Sequence, residues 1–370
     1  MRLLFRFRVR TIILFVISIF IVAISSNYKS ATELIYTNVI NRFIREKLSF
    51  LSGQIAFPIG DILTIVFIVA FVYCMVTLIK KLLNTANIFN FLYKLFWMLV
   101  NTFSIVFFVY VILFGLNYHT PELSDVLIDK YNNKYATNVR VDVDNEKRVE
   151  VYNILVEKIK ETRVLAKSKD NRFTTANILG ASEQVQEGFR AISDTFPVLA
   201  GEYSNAKVSL KSPVFSFFGL DARHYILTNE ISLNKSIPSE YLPFVIAKYM
   251  SYQRGVARED EAIFYAYMAC VNNSDPRVQY SGYLAALDHI VSTLRVYDKI
   301  DYNNLIVSLD PEIRKDLNKI ESYRSRYSYG ANAKDQFMNK FKRLNGDIRV
   351  EDLNYQVTNL ISTYYSLFTY

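Results

Sequence analysis

The chain has 370 residues, of which 51% are hydrophobic and 15% aromatic, a composition that is high for an entirely water-soluble protein. Residues 1–117 hold eleven Lys or Arg against three acidic residues, which accounts for the whole net charge of +8. Residues 118–370 carry 32 basic and 32 acidic side chains, so they present no positive field that would gather phosphates, and we exclude nucleic acid as a partner.

Three N-terminal segments are apolar over about the 20 residues that a helix needs to cross a bilayer. They predict transmembrane helices at about residues 9–26, 57–79 and 93–116. Arg2, Arg6, Arg8 and Arg10 precede the apolar core of the first segment, so a cleaved signal peptide is the alternative to an anchor there. Lys80, Lys81 and Lys94 flank the second and third segments, and the positive-inside bias places them and the N-terminus on the cytoplasmic side. Residues beyond 117 are then extracytoplasmic.

Between the first two segments, apolar residues recur at three- and four-residue steps from Leu34 to Leu51. This spacing predicts an amphipathic helix over about residues 32–51, which either lies on the membrane or packs against the outer domain as a connector. Asn101, in the third segment, carries an amide that we expect to bond to a neighbouring helix. Cys74 and Cys270 are far apart in sequence and in character, so no intrachain disulfide is expected.

The remainder of the chain, residues 118–370, is predicted to be a second, mainly helical domain after a membrane domain of residues 1–117. Helical periodicity occurs in residues 149–164, 183–196, 240–253, 257–272, 278–295, 311–323, 334–343 and 350–367. The stretch from Ala206 to Asn234 is rich in β-branched and aromatic residues and is broken by Pro213 and Gly219, which predicts a small β-hairpin.

The stretch from Pro243 to Cys270 has the layout of a zinc-peptidase core, in which one helix carries two metal ligands and the next carries a carboxylate. Where an H-E-x-x-H motif would stand, the sequence reads Lys248-Tyr249-Met250-Ser251-Tyr252. An ammonium has no lone pair, and a tyrosine has a reference pKa of about 10, so these side chains offer neither zinc ligands nor a general base. The three histidines are dispersed, and we expect none of them to be a ligand: His119, His224 and His289.

Several short motifs occur in the order typical of the bacterial membrane family called domain of unknown function 3810, which the chain resembles over nearly its full length. They are Phe57-Pro58-Ile59-Gly60-Asp61, Gly115-Leu116-Asn117-Tyr118 with Pro121, Thr228 with Glu230 and Asn234, Gln253-Arg254-Gly255, and Ala257-Arg258-Glu259-Asp260-Glu261-Ala262. The resemblance implies a multi-pass protein of the bacterial cytoplasmic membrane with a zincin-like outer domain. It also implies a zinc site, whose two histidines and general base are replaced here by Lys248, Tyr252 and Tyr249.

By analogy with gluzincin-type peptidases, Glu259 would be the third zinc ligand, Glu261 is the alternative carboxylate, and Ile263 replaces a polar supporting residue. We therefore expect a mainly α fold, with three transmembrane helices and an α-rich extracytoplasmic gluzincin-type domain that holds a small β-hairpin and neither zinc nor another cofactor. The predicted function is that of a catalytically inactive pseudopeptidase that binds a protein partner or a component of the cell envelope. The alternatives are an active hydrolase that uses Ser251, Tyr252 and Glu259, and a purely structural envelope protein.

Overall fold

The protein begins with three long apolar helices, in a computed structural model that describes residues 2–169, 172–307, 309–326, 329–347, 349 and 352–368. These helices are α1 (Arg2–Asn27), α3 (Ile59–Leu83) and α4 (Ile88–Leu113), and each contains a stretch long and apolar enough to cross a membrane. This confirms the three predicted apolar helices, with boundaries shifted by a few residues. Thr11 of α1 donates to the Asn101 amide oxygen of α4 at 2.8 Å, which is the partner-helix contact expected for Asn101.

The connection between the first two apolar helices is helical from Lys29 to Gly53. It contains a short turn at Lys29–Ala31, a π-helical stretch at Thr32–Asn41, and α2 (Arg42–Gly53). Residues 32–53, which include the segment predicted as an amphipathic helix, are thus helical. The buried side chains of this segment are all polar, and they pack against the rest of the protein.

The C-terminal region, residues 118–368, is mainly helical, as the periodicity predicts. Its helices are α5 (Leu123–Tyr135), α6 (Asn145–Lys167), α7 (Ile178–Ile192), α8 (Ser212–Phe217), α9 (Leu242–Gln253), α10 (Glu259–Val271), α11 (Pro276–Val296), α12 (Tyr302–Val307), α13 (Pro311–Arg326), α14 (Ala331–Leu344) and α15 (Leu353–Phe368). The predicted start of the last helix, Val350, lies outside the described residues. Helix α7 ends four residues before the predicted Phe196, because the chain turns ahead of Pro197.

The predicted hairpin is present and a third strand extends it. Strands β2 (Ala222–Tyr225) and β3 (Glu230–Leu233) pair antiparallel across a four-residue loop in which Asn229 adopts a left-handed conformation. The two-residue strand β1 (Lys207–Val208) pairs parallel with β3, so the strand order is β1-β3-β2. Every residue of the central strand β3 is buried, whereas β2 is partly exposed.

Helix α10 lies at the centre of the C-terminal region, packed between α7, α9, α11 and α15. Eleven of its thirteen residues are buried, because its sequence from Ala262 to Cys270 is apolar on every side. Glu259, Asp260 and Glu261 form its first turn, where acidic groups interact favourably with the positive end of the helix dipole. Three carboxylates that could bind a ligand or a metal ion therefore stand together at the start of a buried helix.

Candidate functional site

Helices α9 and α10 are joined by a tight turn at Gly255, which brings the replaced zinc-motif positions next to the acidic turn. Gly255 has φ of +90°, a conformation that favours glycine, and its N–H donates to the Tyr252 carbonyl at 2.9 Å. The chain then reverses into α10 within four residues. As a result, Lys248 on α9 and Glu259 at the start of α10 face each other.

Glu259 is the centre of an ion cluster with two lysines. Its Oε1 accepts from Lys248 Nζ at 2.8 Å, and its Oε2 accepts from Lys342 Nζ at 2.8 Å. Lys342 comes from the last turn of α14. The side chains are 14% exposed for Lys248, 25% for Glu259 and 22% for Lys342, so the cluster is half-buried rather than solvated. We call these three residues the Glu259 cluster.

Burial and charge act in opposite directions on the cluster. Burial alone would raise the pKa of Glu259, but the two ammonium groups outweigh it and hold that pKa well below its usual value. Burial likewise tends to lower the pKa of Lys248, whereas Glu259 and the neighbouring tyrosines raise it well above its usual value. Around neutral pH the cluster is therefore one carboxylate between two cations.

Tyr249 and Tyr252 pack against the hydrophobic core beside the cluster. Their ring centroids lie 5.6 Å apart with the rings tilted by 67°. Burial raises the pKa of both phenols above its usual value, and the Glu259 carboxylate adds to the effect. Both hydroxyls consequently stay protonated around neutral pH and cannot act as anionic ligands or as bases.

The other two acids of the turn are each engaged by an arginine. Arg349 donates two bonds to the Asp260 carboxylate, at 2.6 and 2.9 Å. Glu261 Oε1 accepts from Arg258 Nε at 2.7 Å and from the Leu123 N–H at 3.0 Å. Burial raises the pKa of Glu261 more than Arg258 lowers it. Glu261 thus fixes the start of α5 and does not face the Glu259 cluster as a second ligand.

The remaining sequence candidates lie apart from the cluster. Ser251 is fully buried and donates to the Ala247 carbonyl of its own helix at 3.2 Å, so it is not presented as a nucleophile. His224 bonds to Asn229 at 2.7 Å and His289 to Asn354 at 2.7 Å, and both are used in packing. Burial lowers the pKa of His224 to about 4. Across the residues that the structure describes, no group of three His, Cys, Asp or Glu side chains could hold a metal ion.

The side chains at the Glu259 cluster do not fit a catalytic zinc ion. Such a site needs three neutral or anionic ligands and an open position for water. Here both oxygens of the one carboxylate accept from ammonium groups, and the neighbouring phenols are protonated. The arrangement can hold a fixed charge pattern and can offer hydrogen bonds, but it does not present a metal ligand set.

The cluster predicts an acid-sensitive contribution to stability. The folded-state pKa of Glu259 lies below its usual value of 4.5, so its stabilisation is present above that value and is lost as the pH falls towards the folded-state pKa. Glu259→Gln should therefore lower the free energy of unfolding by about 2 kcal/mol at neutral pH, between the values for exposed and for buried ion pairs. The difference from wild type should shrink on acidification, in thermal melts between about pH 3 and pH 7. A difference that stays constant over this range would contradict the assignment.

A second set of buried polar residues joins the C-terminal region to the apolar helices. Glu230, at the start of β3, is fully buried; its Oε2 accepts from Lys207 Nζ of β1 at 2.8 Å, and its Oε1 accepts from the Gly60 N–H of α3. Lys207 also donates to the carbonyls of Ser52, at 2.8 Å, and Phe57, at 3.1 Å. One buried ion pair therefore fixes the chain where it enters α3.

Asp61, in the first turn of α3, makes a second buried connection. Its carboxylate accepts from the Ser209 hydroxyl at 2.7 Å, the Leu210 N–H at 2.7 Å and the Tyr225 hydroxyl at 2.6 Å. All three partners belong to the C-terminal region. A carboxylate with three donors is well satisfied despite complete burial, so it acts as a rigid attachment point.

The connecting segment before α3 is held in the same way. The Thr37 hydroxyl donates to the amide oxygen of Asn117, which lies just after α4, at 2.9 Å. The Gln253 amide of α9 donates to the Ser49 hydroxyl of α2 at 3.1 Å. Gly255 packs so closely on Arg45 that a Cβ at this position would collide with the guanidinium. We call the following residues the junction: Gly60, Asp61, Asn117, Lys207, Glu230 and Gln253. Five of them belong to the short motifs noted in the sequence.

Sequence reasoning missed Lys342 and Lys207. The pattern of α14 shows basic residues near its C-terminal end, a common feature that says nothing of a contact with Glu259, 83 residues earlier. Lys207 lies in a predicted hairpin, where a lysine is normally taken to face solvent. The sequence signal that could have found Lys207 is Glu230 among the apolar residues of the same hairpin, because an acid that is buried there needs a cation.

Comparison with known proteins gives one family. The family described as Protein of unknown function (DUF3810) matches residues 36–349. No curated protein and no solved structure matches the chain. Because the match covers most of the sequence, the chain belongs to the DUF3810 family.

Proposed function

We propose that this family member is a metal-free, catalytically inactive relative of membrane-anchored zinc peptidases, and that it acts by binding a protein or a component of the bacterial cell envelope. The observation that carries the proposal is the Glu259 cluster. Positions 248 and 259, which would carry a histidine and the third ligand in the peptidase layout, are in contact here through a 2.8 Å ion pair. The layout is kept while an ammonium takes the place of a metal ligand.

The charge balance of the cluster supports the loss of zinc. A zinc ion next to Lys248 and Lys342 would be repelled by both ammonium groups, and it would compete with them for one carboxylate. The neighbouring acids provide no replacement, because Asp260 is held by Arg349 and Glu261 by Arg258. Binding by the exposed surface of α14, which contributes Lys342 to the cluster, is then the remaining use of this part of the fold.

Elemental analysis of the purified full-length protein tests this proposal. We expect no stoichiometric zinc after purification without chelator, and no cleavage of a peptide library. One zinc per chain would overturn the metal-free assignment. Cleavage that is abolished by Glu259→Gln would overturn the inactive assignment, and it would favour the alternative of a hydrolase with a non-standard site.

A structural role in the envelope is the second candidate, and the junction is the observation that favours it. Its buried carboxylates, Asp61 and Glu230, are paired between α3 and the C-terminal region, which suits a protein whose two parts must keep a fixed relation. Charge reversal on the exposed surface of α14, by Lys340→Glu, separates the two candidates. If the protein binds a partner through α14, the Lys340→Glu variant should lose crosslinks to that partner that the wild type forms. If its role is structural, the variant and the wild type should give the same crosslinks.

A further inference from the structure

The segment between the first two apolar helices has its polarity inverted relative to a soluble helix. Its buried side chains are polar, namely Thr32, Thr37, Asn41, Arg45, Ser49 and Ser52. Its most exposed side chains are apolar, namely Leu34, Ile35, Val39, Ile40, Phe43, Phe50 and Leu51, each 49–65% exposed. A water-exposed helix that packs on a domain normally buries its apolar face, so the exposed face of this segment is suited to a different solvent.

The polar face is bonded to the rest of the protein at several positions. Asn41 donates to the Leu113 carbonyl at the end of α4, at 3.0 Å, and the Thr37 hydroxyl donates to the Asn117 amide oxygen, just after α4, at 2.9 Å. Ser49 bonds to Ser204 of the C-terminal region at 2.9 Å. These bonds fix the rotation of the segment, so the apolar face cannot turn inwards to cover itself.

The position of the segment indicates what covers the apolar face. It follows α1 after a few residues and ends just before α3, so it connects the ends of two membrane-length helices on one side. The Tyr36 hydroxyl donates to the Ile112 carbonyl in the last turn of α4 at 2.6 Å, which brings the segment to the end of the third such helix as well. A helix at that level lies at the boundary between lipid headgroups and acyl chains.

We propose that residues 32–53 form an in-plane membrane helix, with its polar face carrying the C-terminal region and its apolar face inserted into the lipid. Lys47, whose Nζ lies 5.5 Å from the Phe43 ring centroid, fits this position, because lysines at interfaces extend along apolar groups towards the headgroups. The bilayer thus covers the inverted face, and the C-terminal region is held against the membrane surface. This inference does not depend on the Glu259 cluster.

Two features of the C-terminal region are consistent with close contact to the bilayer. Leu210 is 60% exposed although its own N–H is bonded to Asp61 in the first turn of α3. Phe337 of α14 is 66% exposed and stacks on Phe341, which packs against Tyr110 near the end of α4. Both apolar side chains therefore stand beside the ends of membrane-length helices.

Depth-dependent fluorescence quenching in the full chain tests the proposal. In a Cys74→Ser background, single cysteines at Val39, Phe43 and Phe50 are labelled with a polarity-sensitive fluorophore, and the protein is placed in phosphatidylcholine nanodiscs. Cys270 is buried and stays unlabelled in the folded protein. Lys160→Cys, on the exposed side of α6, is the matched control. These four side chains are exposed, so their replacement should leave the fold intact, which a thermal melt verifies.

We expect lipids with a spin label near the headgroup to quench Val39, Phe43 and Phe50 at least about twofold more than Lys160. Aqueous iodide should quench Lys160 more than the other three. Equal iodide quenching at all four positions would show that the face lies in water, and it would overturn the proposal. Protection from both quenchers would show that protein, such as a second copy of the chain, covers the face, and it would overturn the proposal as well.

Discussion

Replacing Glu230 by glutamine should lower the free energy of unfolding by about 3–5 kcal/mol, the largest effect that we expect from a single substitution. The change leaves the Lys207 ammonium in a site where the two side chains are 9% and 0% exposed, with only neutral acceptors. A buried charge without its counterion costs far more than a surface pair contributes. The loss should appear as a fall in the melting temperature of the order of 10 °C.

Cys270 provides a direct readout, because it is buried at the centre of the C-terminal region and free. In a Cys74→Ser background, a thiol-reactive dye reports its exposure during heating. Glu161→Gln is the matched control, since Glu161 also pairs with a lysine but is 63% exposed, and its effect should stay within about 0.5 kcal/mol. If Glu230→Gln melted like this control, the buried pair would not hold the junction.

The residues that most clearly indicate the family serve the junction more than the Glu259 cluster. Gly60, Asp61 and Glu230 make bonds between α3 and the C-terminal region, and Asn117 accepts from Thr37 of the connecting segment. Glu259 alone among the quoted motif residues pairs with both lysines. Short polar motifs next to membrane segments therefore have an ordinary physical explanation. They satisfy buried groups where two parts of the chain meet.

The periodicity of apolar residues predicted most of the long helices, but it did not predict which side chains of different elements form ion pairs. The apolar helices and the central pair α9 and α10 follow from patterns contained in about 20 residues of sequence. The ion pairs of Glu259 with Lys342 and of Glu230 with Lys207 join residues that are separated by 83 and 23 positions. Such contacts depend on how the helices and strands are arranged in space, which no local pattern contains.

The segment of residues 32–53 is a second case in which the local sequence pattern predicts a helix but not its contacts. The spacing of its apolar residues predicted an amphipathic helix over about residues 32–51, and the structure has a π-helical stretch followed by an α-helix there. The sequence could not say which face is buried, because the hydrophobic pattern is the same in both cases. The bonds of Asn41 to Leu113 and of Ser49 to Ser204 determine which face is buried, because they hold the polar face against the protein.

Restoring the zinc motif should reveal Lys342 as a barrier to metal binding. In the triple variant Lys248→His, Tyr249→Glu and Tyr252→His, the peptidase layout would regain two imidazoles and a base. Lys342 would still hold Oε2 of Glu259 at 2.8 Å, so zinc should bind weakly. Adding Lys342→Gln removes that competing ammonium, and we expect about tenfold tighter zinc binding, which corresponds to about 1.4 kcal/mol.

Competition with a chromophoric chelator measures zinc affinity in the purified full-length variants. Lys340→Gln, added to the same triple variant, is the matched control, because Lys340 is on α14 with the same charge but is exposed and two residues away. Equal affinities for the two quadruple variants would mean that long-range charge, and not the contact with Glu259, controls binding. If neither variant bound zinc, the pair α9 and α10 would not be a peptidase cradle, and the proposed relationship to zinc peptidases would fail while the junction and the membrane segment stood unchanged.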